Sequence, residues 1–124
     1  MTASLGQAFA EAYTAREEER LGALLHSEVD FWALTPNKTW QAKGPDDVLA
    51  EVIRPWLADA EAIDELVEVT THVFSDTESV TYRFRGRDSE GEFICEQHAY
   101  LTERDGLIDW MRVVCSGFTS PEPS

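Results

Sequence analysis

The chain has 124 residues, 43% of them hydrophobic, and a formal net charge of -14 from 24 acidic and 10 basic side chains. That length makes one ordinary domain with enough apolar surface for a buried core. The acid excess argues against nucleic acid and anionic membrane surfaces as partners, because both are bound through Lys and Arg. No run approaches the roughly 20 apolar residues that span a bilayer.

The first residues, MTASLGQAFAEAY, hold no basic region followed by an apolar block, so no signal peptide is expected. Ser4 and Gln7 have capping-box spacing. Leu5, Phe9, Ala12 and Tyr13 then recur at helical intervals, predicting a helix over 5–15. The charged run Arg16–Arg20 breaks it, and Leu21, Leu24 and Leu25 predict a short second helix over 17–25. VDFWAL (29–34) is a strand, Thr35-Pro36-Asn37-Lys38 a turn, and Trp40 lies in a short extended segment. Gly44-Pro45-Asp46-Asp47 starts a helix, with Pro in the first turn and acids at its positive end. Val48, Val52, Ile53, Trp56 and Leu57 form its apolar stripe, and Pro55 kinks or ends it.

From Leu66 the period changes to two, giving strands over 66–74, 79–87, 92–102 and 107–117. Glu90-Gly91 and Asp105-Gly106 supply tight turns. The expected domain covers 1–118, and 119–124 forms a frayed tail. Helices, a strand, a helix and a four-strand meander make an α+β arrangement of helices against a curved antiparallel sheet.

Counting back from the two turns pairs Arg85 with Glu96, Arg83 with His98 and Tyr100 with Met111. One face then carries Arg83, Arg85, Glu96, His98, Tyr100, Asp109, Met111, Val113 and Cys115. The other carries Val80, Tyr82, Phe84, Phe93, Cys95, Ala99, Leu101, Ile108, Trp110 and Val114. A single bulge would shift part of this assignment. The two cysteines fall on opposite faces and match no zinc spacing, so free thiols and a reducing, cytoplasmic setting are expected. Two arrangements remain open. Either the apolar face packs under the helices and the polar face is wet, or the polar face lines a cavity and the apolar face meets a second chain.

The helix pair ending in LLHSEVDFWAL, the helix start GPDDV and the closing RDGLIDWMRVVCSGF, with Arg112 four residues after Ile108, together resemble the nuclear transport factor 2-like superfamily in its SnoaL-like branch. That branch includes ketosteroid isomerase and the polyketide cyclases, and the resemblance covers residues 5–118. It implies a cone-shaped, strongly curved sheet wrapped around the N-terminal helices, an internal pocket, and a homodimer formed through the outer sheet face. It also implies that the polar face is the pocket face. His98 aligns near the isomerase's oxyanion-donating Asp. Ala33 stands near the position of the isomerase base, with Asp30 displaced by three residues, and Val113 stands where the cyclases carry a carboxylate. Neither chemistry transfers residue by residue.

The expected catalytic set is His98 as acid–base group, Glu96 or Asp109 orienting it, and Arg83 or Tyr100 polarising an oxygen. Tyr13, Trp32, Trp56 and Met111 are the expected substrate-binding wall. No cofactor and no metal are expected; a site from His72, His98 and Glu96 would need their two strands adjacent. The expected function is binding of a small apolar or ring-containing molecule, with cofactor-independent lyase, isomerase or cyclase chemistry. The alternative is a non-catalytic ligand-binding or dimerising accessory protein.

Overall fold

The computed structural model describes residues 4–36 and 38–119. In chain order the elements are α1 (Leu5–Thr14), α2 (Glu18–Leu24), β1 (Leu25–Thr35), β2 (Lys38–Lys43), α3 (Pro45–Val48), a π-helical turn (Leu49–Ile53), α4 (Arg54–Ala58), β3 (Ala62–Phe74), β4 (Thr77–Asp88), β5 (Gly91–Arg104) and β6 (Leu107–Cys115). Among the described residues no helix is long and apolar enough to cross a membrane.

Local chemistry sets the helix ends. Ser4 Oγ accepts from the Gln7 N–H at 3.1 Å, while the Gln7 side chain turns to Glu11 instead of closing the capping box. Arg16, at φ 60°, ends the first helical stretch, and its guanidinium donates to the carbonyls of Leu57 and Ala60 at the end of α4. Pro55 has no N–H and crowds the carbonyl four residues back. The backbone answers with the wider π turn just before it, so the helix continues where an end or kink was expected.

The six strands form one open sheet in the order β2-β1-β6-β5-β4-β3. All neighbours are antiparallel except β1 and β6, which are parallel. The sheet is therefore mixed: the four-strand meander β3 to β6 is antiparallel as expected, and the β1–β6 pair adds one parallel contact. A parallel pair needs a long crossover, here everything from β2 to β5, and no local pattern announces it. α1 packs on β3, β4 and β5, and α3 packs on β1 and β2.

Two register details decide which side chains look inward. The β4–β5 turn is Ser89-Glu90, with Asp88 paired to Gly91, one residue earlier than the Glu90-Gly91 turn expected. The Asp88 carboxylate fixes it by accepting from the Glu90 N–H at 2.9 Å. The slip moves the register by two. The faces are kept, but Arg83 now pairs with Glu96 and Thr81 with His98. The Asp105-Gly106 turn is as expected, both residues having positive φ. Beyond it Glu103 pairs with Ile108 but Thr102 with Trp110, so Asp109 is an extra residue. Its carboxylate accepts from Thr102 Oγ1 at 2.5 Å and lies 3.7 Å from Arg104 Nε.

That bulge exchanges the faces of β6. Met111, Val113 and Cys115 join the inner side with Gln97, Ala99 and Leu101, while Trp110, Arg112 and Val114 turn outward. The inner side carries the core: Val80, Tyr82, Phe84, Phe93, Cys95, Ala99 and Leu101 are buried with Phe9 and Tyr13 of α1 and with Val52, Ile53 and Trp56 of the π turn and α4. Val80, Tyr82 and Phe84 are thus covered by helices rather than by a second chain. After β6, Thr119 exchanges backbone hydrogen bonds with Ile94 at 2.8 and 2.9 Å, so the chain is still paired at the first residue expected to fray. The remainder of that tail, 120–124, lies outside the described residues.

Gly86 is where sheet packing is closest. A Cβ there would sit 2.2 Å from the Ala62 carbonyl oxygen and 2.7 Å from Phe93 Cζ. The backbone contact cannot yield by rotating a side chain. Gly86→Ala should destabilise the protein by about 1–3 kcal/mol, the usual scale of overpacking, read as a lower urea midpoint at unchanged slope; an unchanged midpoint would mean that β3 and β4 do not meet this closely.

Candidate functional site

The inner side of the sheet is not filled to its end. Where α1, α4, the β1–β2 turn and the ends of β5 and β6 meet, a cavity of about 500 Å³ remains, within the roughly 300–1,000 Å³ of small-molecule sites. Tyr13, Trp40, Trp56 and Phe118 supply its aromatic wall; Asp59, Asp88, Gln97, Cys115 and Ser116 supply polar groups. Tyr13 lies 6.2 Å from Trp56, which meets Trp40 edge-on at 5.9 Å. Phe118 stacks on Phe93 at 3.8 Å and closes one side.

The polar groups of this wall are mostly spoken for. Tyr82 donates to Gln97 Oε1, and Gln97 Nε2 donates to Cys115 Sγ at 3.3 Å. Gln97 is only 1% exposed, and this chain of contacts is what allows an amide there. Trp40 Nε1 donates to Thr35 Oγ1 at 2.8 Å. Trp56 differs: its Nε1 is buried and has no partner among the described residues. An indole N–H is a donor only, and this one is closed off from the cavity as well as from bulk solvent. Burial holds the phenols of Tyr13 and Tyr82 well above the ordinary value of 10.0, so both stay protonated donors.

Of the expected substrate-binding residues, Tyr13 and Trp56 line the cavity. Met111 is packed in the core, and Trp32 lies on the outer face. The polar strand face also looks outward, so the expectation that it lines the cavity is corrected. Glu96 pairs with Arg83 at 2.9 Å, both about half exposed, a geometry worth little. His98 Nδ1 lies 2.7 Å from Thr81 Oγ1, and its ring meets Tyr100 at 5.0 Å. Asp109 sits in the bulge. None of His98, Glu96, Tyr100, Arg83 or Asp109 faces the cavity. His72 and His98 lie on strands separated by β4. Among the described residues no three His, Cys, Asp or Glu side chains converge.

The lining residues that sequence reasoning passed over are Gln97, Trp40, Asp59 and Asp88, whereas Cys115 was already placed on the expected pocket face. Gln97 left a signal: it is the polar member of the otherwise apolar set Phe93, Cys95, Ala99 and Leu101. The expectation that Cys95 and Cys115 occupy opposite faces is also corrected. The bulge places both inside, with sulfurs 3.5 Å apart and both thiols free.

No family model and no curated protein matches the chain. Solved structures do match it. An NTF2-like protein from Burkholderia thailandensis superposes with a TM-score of 0.71 at 15% identity, over 93% of this chain and 92% of that one. A hypothetical protein with a ketosteroid isomerase-like fold from Catenulispora acidiphila, in complex with trimethylamine, gives 0.68 at 18% identity, over 94% and 88%. TerC, co-crystallised with polyporic acid, gives 0.71 at 13% identity, over 88% and 86%. The chain therefore has the NTF2-like, ketosteroid isomerase-like fold expected from its sequence.

The buried phenols set a pH response. Above pH 10 an unfolded tyrosine loses its proton while native Tyr82 keeps it. The native state then binds more protons, and stability falls as pH rises, by up to about 1.4 kcal/mol per pH unit for each such group. Tyr82→Phe should flatten the decline in urea-unfolding free energy between about pH 10 and 12. An equal slope in variant and wild type would show that Tyr82 titrates freely.

Proposed function

We infer that the chain binds a small, neutral, ring-containing molecule in this cavity and presents a hydrogen-bond donor to an oxygen on it. The cavity of about 500 Å³ with its wall of Tyr13, Trp40, Trp56 and Phe118 carries the reading. The aromatic walls fit a flat ring, and the protonated Tyr13 phenol is a donor among them. Two of the structural neighbours were crystallised with small molecules, trimethylamine and polyporic acid.

A catalytic reading draws on Asp59 and Asp88, the carboxylates among the described lining residues. With Tyr13 polarising a ketone oxygen, either could take a proton from the adjacent carbon and return it elsewhere, which is cofactor-independent isomerase or lyase chemistry. The expected acid–base role of His98 is not carried forward, because its ring is on the other side of the sheet.

The outer face is the proposed site of homodimer contact. Register places Trp32, Arg112 and Tyr100 in one row and Leu34, Val114 and His98 in the next. Trp32, Leu34, Tyr100 and Val114 are 42%, 50%, 49% and 56% exposed, an apolar patch of the kind that interfaces cover. Arg112 stiffens it: its guanidinium lies 4.6 Å from the Trp110 ring and 5.3 Å from the Trp32 ring, and donates to the Asp30 carbonyl at 3.0 Å.

Titration with a neutral bicyclic ketone such as 2-tetralone should quench tryptophan fluorescence. Tyr13→Phe should weaken binding by about fivefold, the scale of one hydrogen bond; binding that Tyr13→Phe and Trp56→Phe both leave unchanged would place the ligand elsewhere. If the bound ketone exchanges its acidic hydrogens with deuterated water, loss of about 100-fold or more in Asp59→Asn or Asp88→Asn supports catalysis, and no exchange in the wild type leaves binding alone. Light scattering should give twice the chain mass, reduced to one by Val114→Glu; a wild-type monomer would remove the interface.

A further inference from the structure

The two cysteines were expected to be unrelated, yet they are neighbours at the cavity wall. Cys115 ends β6, is half-buried and lines the cavity; Cys95 on β5 is buried behind it. Their Sγ atoms are 3.5 Å apart. Besides the Cys95 thiol, Cys115 Sγ receives Gln97 Nε2 at 3.3 Å and the Gly117 N–H at 3.4 Å. Ser116 Oγ lies 3.9 Å from Cys95 Sγ. Two N–H donors converge on Cys115 Sγ and the Cys95 thiol lies where it can give a third, an environment for an anion, and the thiolate is the nucleophilic form. The contact with Cys95, helped by Gln97 and Gly117, lowers the Cys115 pKa, while the same contact and burial raise that of Cys95.

We propose that Cys115 and Cys95 form a redox dithiol that reduces an organic hydroperoxide held in the cavity, with Cys115 the attacking sulfur and Cys95 the resolving one. In the first step Cys115 thiolate bonds to the terminal peroxide oxygen and the O–O bond breaks. The alkoxide leaves and takes a proton as the alcohol, and Cys115 becomes a sulfenic acid. In the second, Cys95 gives up its proton and attacks Cys115 Sγ; the S–O bond breaks and the hydroxyl leaves with that proton as water. Two thiols and one hydroperoxide give one disulfide, one alcohol and one water, and a small-molecule thiol resets the pair. The sulfurs must close from 3.5 Å to about 2.05 Å.

The second sulfur selects this chemistry. Addition of a thiolate to an electrophilic alkene needs no resolving thiol, whereas a sulfenic acid needs one nearby to reach the disulfide. The aromatic walls formed by Tyr13, Trp40, Trp56 and Phe118 select an organic hydroperoxide over hydrogen peroxide. The inference uses the cavity proposed above but not its ligand, and ketone binding in the cysteine variants keeps the two questions separate.

The test treats the reduced, full chain with cumene hydroperoxide or with hydrogen peroxide, and reads free thiols and intact mass. Wild type should lose both thiols together and form one intramolecular disulfide. It should react at least about tenfold faster than the same chain in urea, since a thiolate near neutrality outpaces an ordinary thiol. It should also react at least about tenfold faster with the organic peroxide than with hydrogen peroxide. Cys115→Ser should leave Cys95 unreacted, and Cys95→Ala should stop at a sulfenic acid trapped by dimedone. In wild type, iodoacetamide should alkylate Cys115 before Cys95, a check that needs no variant to fold. Oxidation no faster than in urea, disulfides only between chains, or alkylation of Cys95 first would overturn the dithiol; equal rates with both peroxides would overturn the organic substrate.

Discussion

At Asp109 the last strand carries one residue more than its neighbour, and much of the molecule follows from where that residue sits. Without it, Arg112 would turn toward the helices and Met111 and Val113 toward water. A guanidinium in an apolar core without a partner costs several kcal/mol, and exposing a buried Met or Val loses roughly 1.5–3 kcal/mol each. With it, Arg112 lies between two indoles on the outer face and Cys115 reaches the cavity. Thr102 and Arg104 hold the extra carboxylate in place, so the bulge is anchored by its own side chain.

The aromatic groups inside depend on that phase. Tyr13 meets Phe9, Trp56, Tyr82 and Phe84 at centroid distances of 5.6–6.5 Å, and so joins α1, α4 and the sheet. Large rings packed at these angles bury much area, and the cavity opens beside them. The corner left open is the one reached by the end of β6, where Cys115, Gly117 and Phe118 replace the regular strand. Cavity, amide and thiols are consequences of one strand ending against one ring cluster.

Most of the architecture was legible because it rests on local pattern. The helix pair, the helix that Gly44-Pro45-Asp46-Asp47 starts, the four long strands and the Asp105-Gly106 turn each have a periodic or turn signature. The faces of β4 and β5 were legible for the same reason, even with a turn misplaced by one residue. What was not legible is a bulge, since Ile108, Trp110 and Val114 alternate plausibly without it. The choice of pocket face was misdirected differently. The residues alone allowed the apolar face to pack under the helices, and burial of Val80, Tyr82, Phe84, Phe93 and Leu101 makes that the favourable arrangement. Analogy with an enzyme of the same fold pointed the other way: it put Met111, Val113 and Cys115 inside, as they are, but a register without the bulge tied them to Glu96, His98 and Tyr100.

The charge balance then narrows what the cavity accepts. Lys38 Nζ stands 3.8 Å from the centre of the Trp40 ring, while Asp59 and Asp88 are the charged groups among the described lining residues. With a net charge of -14 over the whole chain, an anion approaching the mouth meets repulsion that salt only partly screens. Inside, the protonated Tyr13 phenol offers a donor beside those carboxylates. A neutral molecule that exposes an oxygen suits both conditions. The proposed ketone and the proposed hydroperoxide share that description, and of the two only the dithiol chemistry asks the cavity wall to move, by drawing the sulfurs together from 3.5 Å.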